Sequence, residues 1–432
     1  MRAKETYGVG LLGLGVVGTQ VARLLLSPPT THSIVDSPQL ELHRILVRDI
    51  TKERSIDLPD GILTENIDEL LSDENISVIV EVMGGEHPAF DYQQRALTAN
   101  KHLVTANKEV IAKHGKYLLD LAKSSNLELR FEASVGGGIP IINPVQRDLI
   151  ANKITSIRAI INGTTNFILT QMADSDIEFE SALKQAQKLG YAEPDSTNDI
   201  EGIDAAYKLA ILASIAFQTH ISPEEIYQEG ITNLQPRDFQ YAKELGYAIK
   251  LLAIAKESDD ILQVRVHPAL VPLESSLATI SGPFNAVEVQ GDLTGPVVFI
   301  GQGAGAAPTS SAVIGDLIAI ASHPSTTSSA PTSKSPKRKI TVASIQDIET
   351  QYYLRLNVAD CSGVLAQIGA VFGKHSISVA SVIQKDSDPQ AQSAELVITT
   401  HPALESSMQS ALTDIRKLGI LLEIRNVLRI EV

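Results

Sequence analysis

Three glycines near the N-terminus restrict the fold of this chain more than any other feature. Gly13, Gly15 and Gly18 have GxGxxG spacing and stand between an apolar run and a helical pattern within residues 7 to 26. Such glycines permit a tight strand-to-helix turn, close approach of a pyrophosphate and close packing of helix on strand. The spacing alone would also suit a glycine-rich turn in another α/β domain, but in this context it predicts a Rossmann-type domain that binds a dinucleotide. The candidate cofactor contacts in the turn are Gly13, Gly15, Val16, Val17 and Gly18.

A second predicted strand, Leu42 to Val47, bears on the choice between the two nicotinamide cofactors. The strand runs into Arg48 and Asp49. An acidic residue at this strand end holds the ribose 2′-hydroxyl of NAD, whereas an arginine accepts the 2′-phosphate of NADP. Arg48 therefore gives a modest preference for NADP, Asp49 is the contrary signal that would suit NAD, and use of both cofactors is the alternative.

Two further predicted strands, Val78 to Val82 and Leu103 to Thr105, end in small or polar residues and lead into helices. In an open parallel sheet this is the edge at which ligands bind. Thr105 and Lys108 lie at that edge and are candidates for the cofactor or substrate site. A surface lysine that opens a helix is the alternative for Lys108.

A glycine triplet follows the next predicted strand, Leu127 to Val135. The GGGIP segment frees backbone carbonyls to turn inward, and together with the Glu132 carboxylate they could bind a hard cation through oxygen. A hinge between two domains accounts for the same residues equally well. The residues alone leave both interpretations open.

The pattern changes between about residues 141 and 300. The predicted elements are a strand from Ile154 to Ile161, helices as far as about Ala255, and strands near Val264 and Val287. This mixture indicates an α+β domain joined to the dinucleotide fold. This second domain is expected to carry the substrate.

A glycine-rich turn at residues 297 to 307 ends the second domain and contains Gly303, a further candidate cofactor contact. An apolar helix is predicted from about Ser310 to Ala321. We expect it to return to the first domain and close the cofactor cleft, in preference to a role as a domain-swap linker.

The stretch from residue 189 to 213 contains charges where a buried helix is expected. Asn198 and Glu201 are spaced as a capping box, and the turns that follow are apolar on almost every side. Asp204 and Lys208 lie four residues apart on one face of this helix. A buried charge is costly unless it is paired with good geometry, so the two are expected to interact.

Further acidic residues, among them Glu193 and Asp199, lie just upstream. One interpretation is an acidic cluster that complements the helix dipole while Asp204 neutralises Lys208. The other is a polar site for a small zwitterion, with carboxylates for its amino group and a lysine for a reacting oxygen.

Composition excludes several classes of protein. The 432 residues carry a formal net charge of -15, which argues against nucleic-acid or anionic-membrane partners because both need a basic face. A single cysteine excludes an intrachain disulfide framework and a cysteine-cluster zinc site, and suits a reducing compartment. With no apolar run long enough to span a membrane and no secretory signal, the cytoplasm is the expected location.

The last part of the chain is predicted to be a separate small domain. Residues 322 to 338 have the Ser, Thr, Pro and Lys composition of a flexible linker. Beyond them the pattern predicts strand, helix, two strands, helix and strand between Tyr352 and Val432. This βαββαβ order is the ferredoxin-like arrangement.

Taken together, these segments resemble the homoserine dehydrogenase family. The resemblance covers residues 7 to about 320 and rests above all on the highly specific block LGYAEPDSTNDIEGIDAAYKLAILA. The other matching segments are GLLGLGVVG, VRD, EVMGG, VTANKE, FEASVGGGIPI, INGTTNFIL and GQGAGAAPTSSAV. The last domain, through Val358 to Gly373, resembles an ACT domain, a regulatory ligand-binding module.

The resemblance implies reversible, NAD(P)-dependent interconversion of L-homoserine and L-aspartate 4-semialdehyde in threonine, methionine and isoleucine biosynthesis. It assigns Lys208 to proton exchange at the substrate oxygen, Glu193 to the substrate amino group, and Lys108 to the space between cofactor and substrate. Asp199 and Asp204 would line the same pocket. It also implies a sodium-like ion; its ligands would be Glu132 and the backbone carbonyls of Val135, Gly137 and Ile139.

The resemblance further implies an amino-acid effector, with L-threonine the first choice, and a homodimer or homotetramer. The predicted division is 1–135 with about 301–321 for the NAD(P)-binding domain, 136–300 for substrate binding and dimerisation, 322–340 for the linker and 341–432 for the ACT domain. The alternatives are another oxidoreductase of amino-acid semialdehydes and a catalytically silent amino-acid sensor.

Overall fold

The computed structural model describes residues 6–27, 39–322, 340–388 and 392–431. Almost all of the predicted linker, residues 322 to 340, therefore lies outside the described residues. Among the described residues no helix is long and apolar enough to cross a membrane.

A six-stranded parallel sheet forms the first part of the chain. The strands are β1 Thr6–Leu12, β2 Gln39–Leu46, β3 Leu63–Thr64, β4 Ile76–Glu81, β5 His102–Thr105 and β6 Leu129–Arg130. Their order in the sheet is β3-β2-β1-β4-β5-β6, so the direction of winding reverses between β1 and β4. The helices between them are α1 Val16–Leu26, α2 Ile67–Leu71, α3 Ala89–Thr98 and α4 Lys108–Ser124. The Rossmann-type prediction is confirmed.

The strand predicted from Leu127 to Val135 is wrong over most of its length. The ladder contains only Leu129 and Arg130, and a 3₁₀ turn spans Glu132–Ser134. The apolar character that suggested a strand arises instead because Phe131, Ala133 and Val135 are buried beneath other segments. A buried irregular segment and a buried strand both give a short apolar run, so the sequence alone does not distinguish them.

The central domain mixes helices with a largely antiparallel sheet. Its strands are β7 Ile154–Ile160, β8 Tyr227–Gln228, β9 Tyr247–Ser258, β10 Ile261–Pro272, β11 Phe284–Gly291 and β12 Gly295–Gln302. Its helices are α5 Gly163–Ser175, α6 Phe179–Lys188, α7 Thr197–Ile200, α8 Ile203–Ala216 and α9 Pro236–Glu244, followed by α10 Ala306–Ser322. The order β12-β11-β7-β9-β10 places β7, which leads into the site described below, in the middle of this sheet.

Helices do not continue to Ala255 as predicted. The last of them, α9, ends at Glu244, and residues up to Ser258 form β9. The segment Tyr247–Ser258 is apolar on both faces because it pairs with β7 on one side and β10 on the other while both sheet faces are covered. Alternation is lost in such a strand, so its apolar run looks like a buried helix.

The predicted return of the last helix of this domain to the dinucleotide fold is confirmed. α10 packs against α1, and Val313 and Leu317 share one core with Val9, Leu11 and Val21 of the first domain. The first domain is therefore built from two separate stretches of chain, whereas closure of the cofactor cleft by this helix stays a prediction.

The C-terminal domain has the predicted βαββαβ order. Its strands are β13 Thr341–Val342, β14 Glu349–Ala359, β15 Val379–Asp388, β16 Ser393–Thr400, β17 Ala403–Leu404 and β18 Leu421–Ile430, and its helices are α11 Val364–Lys374 and α12 Glu405–Ile415. The four main strands have the order β18-β14-β16-β15.

The central and C-terminal sheets are continuous. β18 pairs in parallel with β10 at Ala269↔Arg429 and Leu270↔Ile430, and the Glu431 N–H donates to the Leu270 carbonyl at 2.9 Å. The last strand of the chain therefore joins the two domains through backbone hydrogen bonds.

Candidate active site

The charged block at residues 189 to 213 forms two helices rather than one. α7 ends at Ile200, and Gly202, with φ 81°, precedes α8. The predicted Asn198 and Glu201 capping box is wrong, because the chain turns at Gly202 and α8 begins with no side-chain cap. The burial of α8 is as expected, and the corner at Gly202 directs Asp199 and Asp204 towards the same region.

Asp204 lies between two lysines. Its Oδ2 accepts a hydrogen bond from Lys208 Nζ at 2.7 Å, and its Oδ1 lies 2.5 Å from Lys108 Nζ. Lys208 also donates to the Ile161 carbonyl at 2.8 Å, so one of its three ammonium hydrogens has no hydrogen-bond partner among the described residues. The Asp204 and Lys208 side chains are 4% and 10% exposed, whereas Lys108 is 42% exposed. The pair predicted on one helix face is thus a triad that joins the first domain to the second.

The three charges shift one another's pKa values in different directions. Burial lowers the pKa of Lys208, Asp204 opposes this only in part, and Lys108 lowers it further. Burial also disfavours the charge on Lys108, but attraction to Asp204 outweighs it and the pKa of Lys108 is raised. Although burial opposes ionisation of Asp204, the two lysines hold its pKa below its usual range. Lys208 is therefore the lysine that gives up a proton more readily.

Asn162 connects the two carboxylates. Its Nδ2 donates to Asp199 Oδ1 at 2.7 Å and to Asp204 Oδ2 at 2.9 Å, while its Oδ1 caps α5 at the Thr165 N–H, 2.8 Å away. Burial and repulsion by Asp204 raise the pKa of Asp199. Asn162 was not among the predicted site residues, although the INGTTN sequence after a strand end was the available signal.

Glu193 lies at the rim of this region. Its side chain is exposed in the loop between α6 and α7, and within the described part of the chain it makes no hydrogen bond or ion pair with the lysine triad. Thr164 Oγ1, at the start of α5, donates to the Tyr191 carbonyl at 2.6 Å and ties this loop to the site. The contact predicted between Glu193 and the substrate amino group stays a prediction.

A cleft of about 620 Å³ lies above the sheet at the glycine turn. Gly13 has φ 96°, and a Cβ on Gly18 would lie 2.1 Å from the Gly13 carbonyl, so both positions require glycine. A Cβ on Gly15 would meet nothing within 4 Å, and Val16 is 76% exposed at the start of α1. This open helix N-terminus with bare backbone fits a pyrophosphate, and with it a dinucleotide.

Positive charge gathers at the end of β2 in the same cleft. Arg48, Lys52 and Arg54 line it together with Asp49. The Asp49 carboxylate, however, accepts the Thr51 N–H at 2.8 Å and the Thr51 hydroxyl at 2.6 Å, so it is engaged in its own turn. Arg54 donates to the Asp49 carbonyl at 2.6 Å. Lys52 and Arg54 were not predicted as site residues.

Two predicted cofactor contacts, Thr105 and Gly303, are buried. Thr105 is fully buried, and its Oγ1 accepts the Asn107 N–H at 3.0 Å. Asn107 caps α4, which begins at Lys108. Gly303 is buried against Asn285, and a Cβ on Gly137 would lie 2.5 Å from the Gly303 carbonyl, so the two glycine-rich segments are in contact.

The Glu132 carboxylate is already occupied. It accepts the backbone N–H groups of Ile141, Ile142 and Asn143 at 2.6, 2.8 and 2.7 Å. No group of three or more His, Cys, Asp or Glu side chains in the described ranges could hold a metal ion. An ion at this position would therefore depend on carbonyl oxygens, and no hydrogen bond from the described residues reaches those of Val135, Gly137 or Ile139.

Comparison with known proteins identifies the family. The profile described as "Homoserine dehydrogenase" matches residues 140–318, and "Homoserine dehydrogenase, NAD binding domain" matches residues 13–132. The homoserine dehydrogenase of a Synechocystis species is 39% identical over 434 residues, covering 98% of this chain and 99% of that protein. The chain belongs to the homoserine dehydrogenase family. Its C-terminal domain matches the ACT domain profile over residues 352–420.

Other members of the homoserine dehydrogenase family agree with this assignment. The enzyme of Mycobacterium tuberculosis is 40% identical over 436 residues, covering 99% of this chain and 98% of that protein. The crystal structure of the Thiobacillus denitrificans homoserine dehydrogenase superposes with a TM-score of 0.89 at 37% identity, covering 99% of this chain and 98% of that chain. The chain is therefore an NAD(P)-binding oxidoreductase of amino-acid biosynthesis, as the sequence resemblance implied.

Proposed function

We propose that this enzyme reduces L-aspartate 4-semialdehyde to L-homoserine, and catalyses the reverse reaction, with Lys208 as the proton-exchanging group. The observation that supports this most directly is the position of Asp204 between Lys108 and Lys208. The bound nicotinamide supplies a hydride in one direction and accepts it in the other. The protein's part is then to control charge and protons at the substrate oxygen.

The two lysines divide this task. In the reducing direction negative charge grows on the substrate oxygen, so the Lys208 ammonium stabilises it and donates a proton to it. In the oxidising direction neutral Lys208 takes the hydroxyl proton, which its lowered pKa favours. Lys108, whose pKa is raised, remains charged and balances Asp204. Glu193, with its exposed carboxylate, is the proposed partner of the substrate ammonium, and Asp199 lines the same pocket.

Initial rates of homoserine oxidation with NADP and with NAD test this proposal. Turnover with homoserine supports it. Turnover with a different amino-acid semialdehyde and none with homoserine would favour the alternative oxidoreductase, and no turnover with any of these substrates would favour the silent sensor.

We infer that the cofactor is NADP in preference to NAD. Three cations line the cleft just after β2: Arg48, Lys52 and Arg54. The Asp49 carboxylate beside them already accepts hydrogen bonds from the N–H and the hydroxyl of Thr51. A 2′-phosphate would meet positive charge there, whereas a 2′-hydroxyl would find its usual acidic partner occupied. A hyperthermophilic archaeal homoserine dehydrogenase in complex with NADPH, 26% identical with a TM-score of 0.62, covers 73% of this chain. Use of NAD as a second cofactor is the alternative.

Arg48→Ala is expected to lower kcat/KM with NADP by about tenfold to a hundredfold, the range of one charge-assisted hydrogen bond. The value of kcat/KM with NAD should stay nearly unchanged. Initial rates with both cofactors measure this. Arg44→Ala is the matched control, because Arg44 lies on β2 four residues before Arg48 but pairs with Glu69 at 3.2 Å outside the cleft. Equal losses with NADP and NAD in Arg48→Ala would contradict the 2′-phosphate assignment.

We propose that the ACT domain binds an amino-acid effector, L-threonine first. Support comes from the contacts that join this domain to the site. Arg429 of β18 donates to Glu229 Oε2 at 2.8 Å and to both oxygens of Glu405 at 2.9 Å. Two residues after Glu229, the Ile231 N–H donates to the Ile200 carbonyl at 2.9 Å. Ile200 is the last residue of α7, the helix that contains Asp199. A shift of β18 would therefore displace the end of α7 and with it Asp199 in the substrate pocket.

Tight packing reinforces this connection. A Cβ on Gly230 would lie 2.5 Å from the Ile200 carbonyl, so the segment after Glu229 fits closely against the end of α7. The Glu229 N–H also donates to the Val266 carbonyl of β10 at 2.8 Å. Glu229 thus connects the C-terminal domain to the corner at Gly202.

Glu229→Gln is expected to raise the threonine concentration for half-inhibition at least about fivefold, the low end of ordinary coupling between sites, with basal kcat changed little. Glu244→Gln is the matched control, because Glu244 makes an exposed ion pair with Lys385 across the same two domains. Such exposed pairs contribute little free energy. Threonine inhibition of native strength in Glu229→Gln would contradict this route.

We further propose a sodium-like ion at residues 132 to 139, a homodimer or homotetramer, and a cytoplasmic location. The carbonyls of Val135, Gly137 and Ile139, which accept no hydrogen bond from the described residues, support the ion. The open edge of β12, where Ile300 is 56% exposed, supports self-association.

A further inference from the structure

A buried carboxylate that the mechanism above does not use lies at the end of β4. Glu81 is fully buried, and within the described ranges no Lys, Arg or His lies within ion-pair distance of it. Three donors surround it: the Met83 N–H at 2.6 Å, Gln93 Nε2 at 2.6 Å and Thr105 Oγ1 at 2.7 Å. An ionised carboxylate only accepts hydrogen bonds, so three donors suit the charged form.

One of these hydrogen bonds holds a wall of the cofactor cleft. Val82 and Met83, which follow Glu81 directly, line that cleft. A Cβ on Gly13 would lie 3.1 Å from Met83 Cγ, so the Met83 backbone and side chain lie against the glycine turn. Glu81 therefore positions Met83 where the cleft passes from the first half of the sheet to the second.

A second hydrogen bond leads from Glu81 to the catalytic lysines. Thr105 Oγ1 donates to Glu81 and accepts the Asn107 N–H at 3.0 Å. Asn107 caps α4 and donates through its Nδ2 to the Gly85 carbonyl at 2.8 Å. Lys108 is the first residue of α4, so the contact between Lys108 and Asp204 is held in part by this network.

The place of Glu81 in the sheet indicates which half of the cofactor it lies beneath. Winding reverses between β1 and β4, and a dinucleotide lies across the strand ends at such a reversal. Because the turn after β1 fits the pyrophosphate and Arg48 after β2 fits the adenosine half, the ends of β4 and β5 are left for the nicotinamide half. Glu81 is the last residue of β4, and its register partner on β5 is Thr105.

We propose that Glu81 is a positioning residue for the nicotinamide half of the cofactor and that its buried charge strengthens binding of the oxidised form relative to the reduced form. The oxidised ring carries a positive charge and the reduced ring does not. A negative charge in a buried, weakly polarisable environment acts over several ångströms, so it stabilises only the charged form. The proposal rests on the NAD(P) binding of the family.

Glu81→Gln tests the proposal, since it removes the charge and keeps the size of the side chain. The Kd of NADPH is measured from its fluorescence, and the Kd of NADP from its displacement of NADPH. The ratio of the NADP Kd to the NADPH Kd should be about tenfold higher in this variant than in the native chain. Glu81→Asp is the matched control, because it disturbs the hydrogen bonds but retains the charge, and its ratio should stay near the native one.

A Glu81→Gln protein with an unchanged ratio would overturn the proposal, whether or not both affinities fall together. If that variant does not fold, the double variant Glu81→Met with Gln93→Leu removes the carboxylate together with one of its three donors, so that fewer buried donors lose their partner. The same rise in the ratio is expected there. A native ratio in a folded double variant would equally overturn the assignment.

Discussion

Replacing Lys208 with alanine is expected to lower kcat for homoserine oxidation by at least about a hundredfold, the low end for loss of a proton-transfer group. Lys208 is the lysine whose pKa is lowered, mainly by burial, and whose third ammonium hydrogen has no hydrogen-bond partner among the described residues. Without it, no other lysine close to Asp204 can readily exchange a proton, because the pKa of Lys108 is raised.

Two further variants separate charge from proton transfer at this position. Lys208→Arg retains a cation beside Asp204 but cannot release a proton, so it should remain as impaired in oxidation as the alanine variant. Lys188→Ala, an exposed lysine of α6 in the same domain, should keep the native rate. The measurement is the initial rate of homoserine oxidation by each variant. Only variants whose circular dichroism matches that of the native chain are compared. A folded Lys208→Ala enzyme with near-native kcat would contradict the assigned role.

Asp204→Asn is the variant with the next largest expected effect, since one carboxylate balances two lysines. Removing one partner of a buried charge network leaves the others uncompensated and costs about 3–5 kcal/mol in unfolding free energy. Asp195→Asn is the matched control, because Asp195 is exposed in the neighbouring loop and an asparagine can still accept the Thr197 N–H. Urea unfolding followed by fluorescence or circular dichroism compares the two. Equal stability of both variants would show that Asp204 does not stabilise the network.

The pH dependence of Asp204→Asn has a definite sign in both activity and stability. Asp204 favours the charged form of Lys208, so removing it lowers the pKa of Lys208 further, and the alkaline rise in homoserine oxidation should move to lower pH. Because the pKa of Asp204 is held below its usual range, its stabilising effect is complete above about pH 4, the unfolded value, and declines as pH falls through the folded one. An alkaline limb that moves to higher pH would contradict the assigned coupling.

The first domain could be predicted almost entirely from local patterns. The glycine turn, the strand ends and the helices after them recur at short spacing, and each local feature needs only neighbouring residues to be recognised. The predicted strand at Leu127 to Val135 was wrong because burial by distant segments also produces an apolar run. The predicted helix over β9 was wrong for the same reason, since a strand covered on both faces loses its alternation.

At the candidate site, too, contacts within one helix were predictable from the sequence and contacts between distant segments were not. The four-residue spacing of Asp204 and Lys208 was enough to predict their contact, because it follows from helix geometry. Lys108, nearly a hundred residues earlier, was a candidate through its position after a strand end, but only the resemblance assigned it to the space between cofactor and substrate. Its position 2.5 Å from Asp204 depends on how α4 and α8 pack, and no local pattern encodes that packing.

What the sequence determined by itself was therefore most of the elements, the family, and the residue types at the site. The tertiary structure alone decided which of these groups meet. It showed that Asp49 is engaged in its own turn, that the Glu132 carboxylate is filled by N–H donors, and that Glu81 is buried without a cation within the described residues. Hydrogen bonds and charge interactions depend on distances of a few ångströms between segments far apart in the chain. Those distances are set by packing rather than by periodicity, and so appear only in the folded protein.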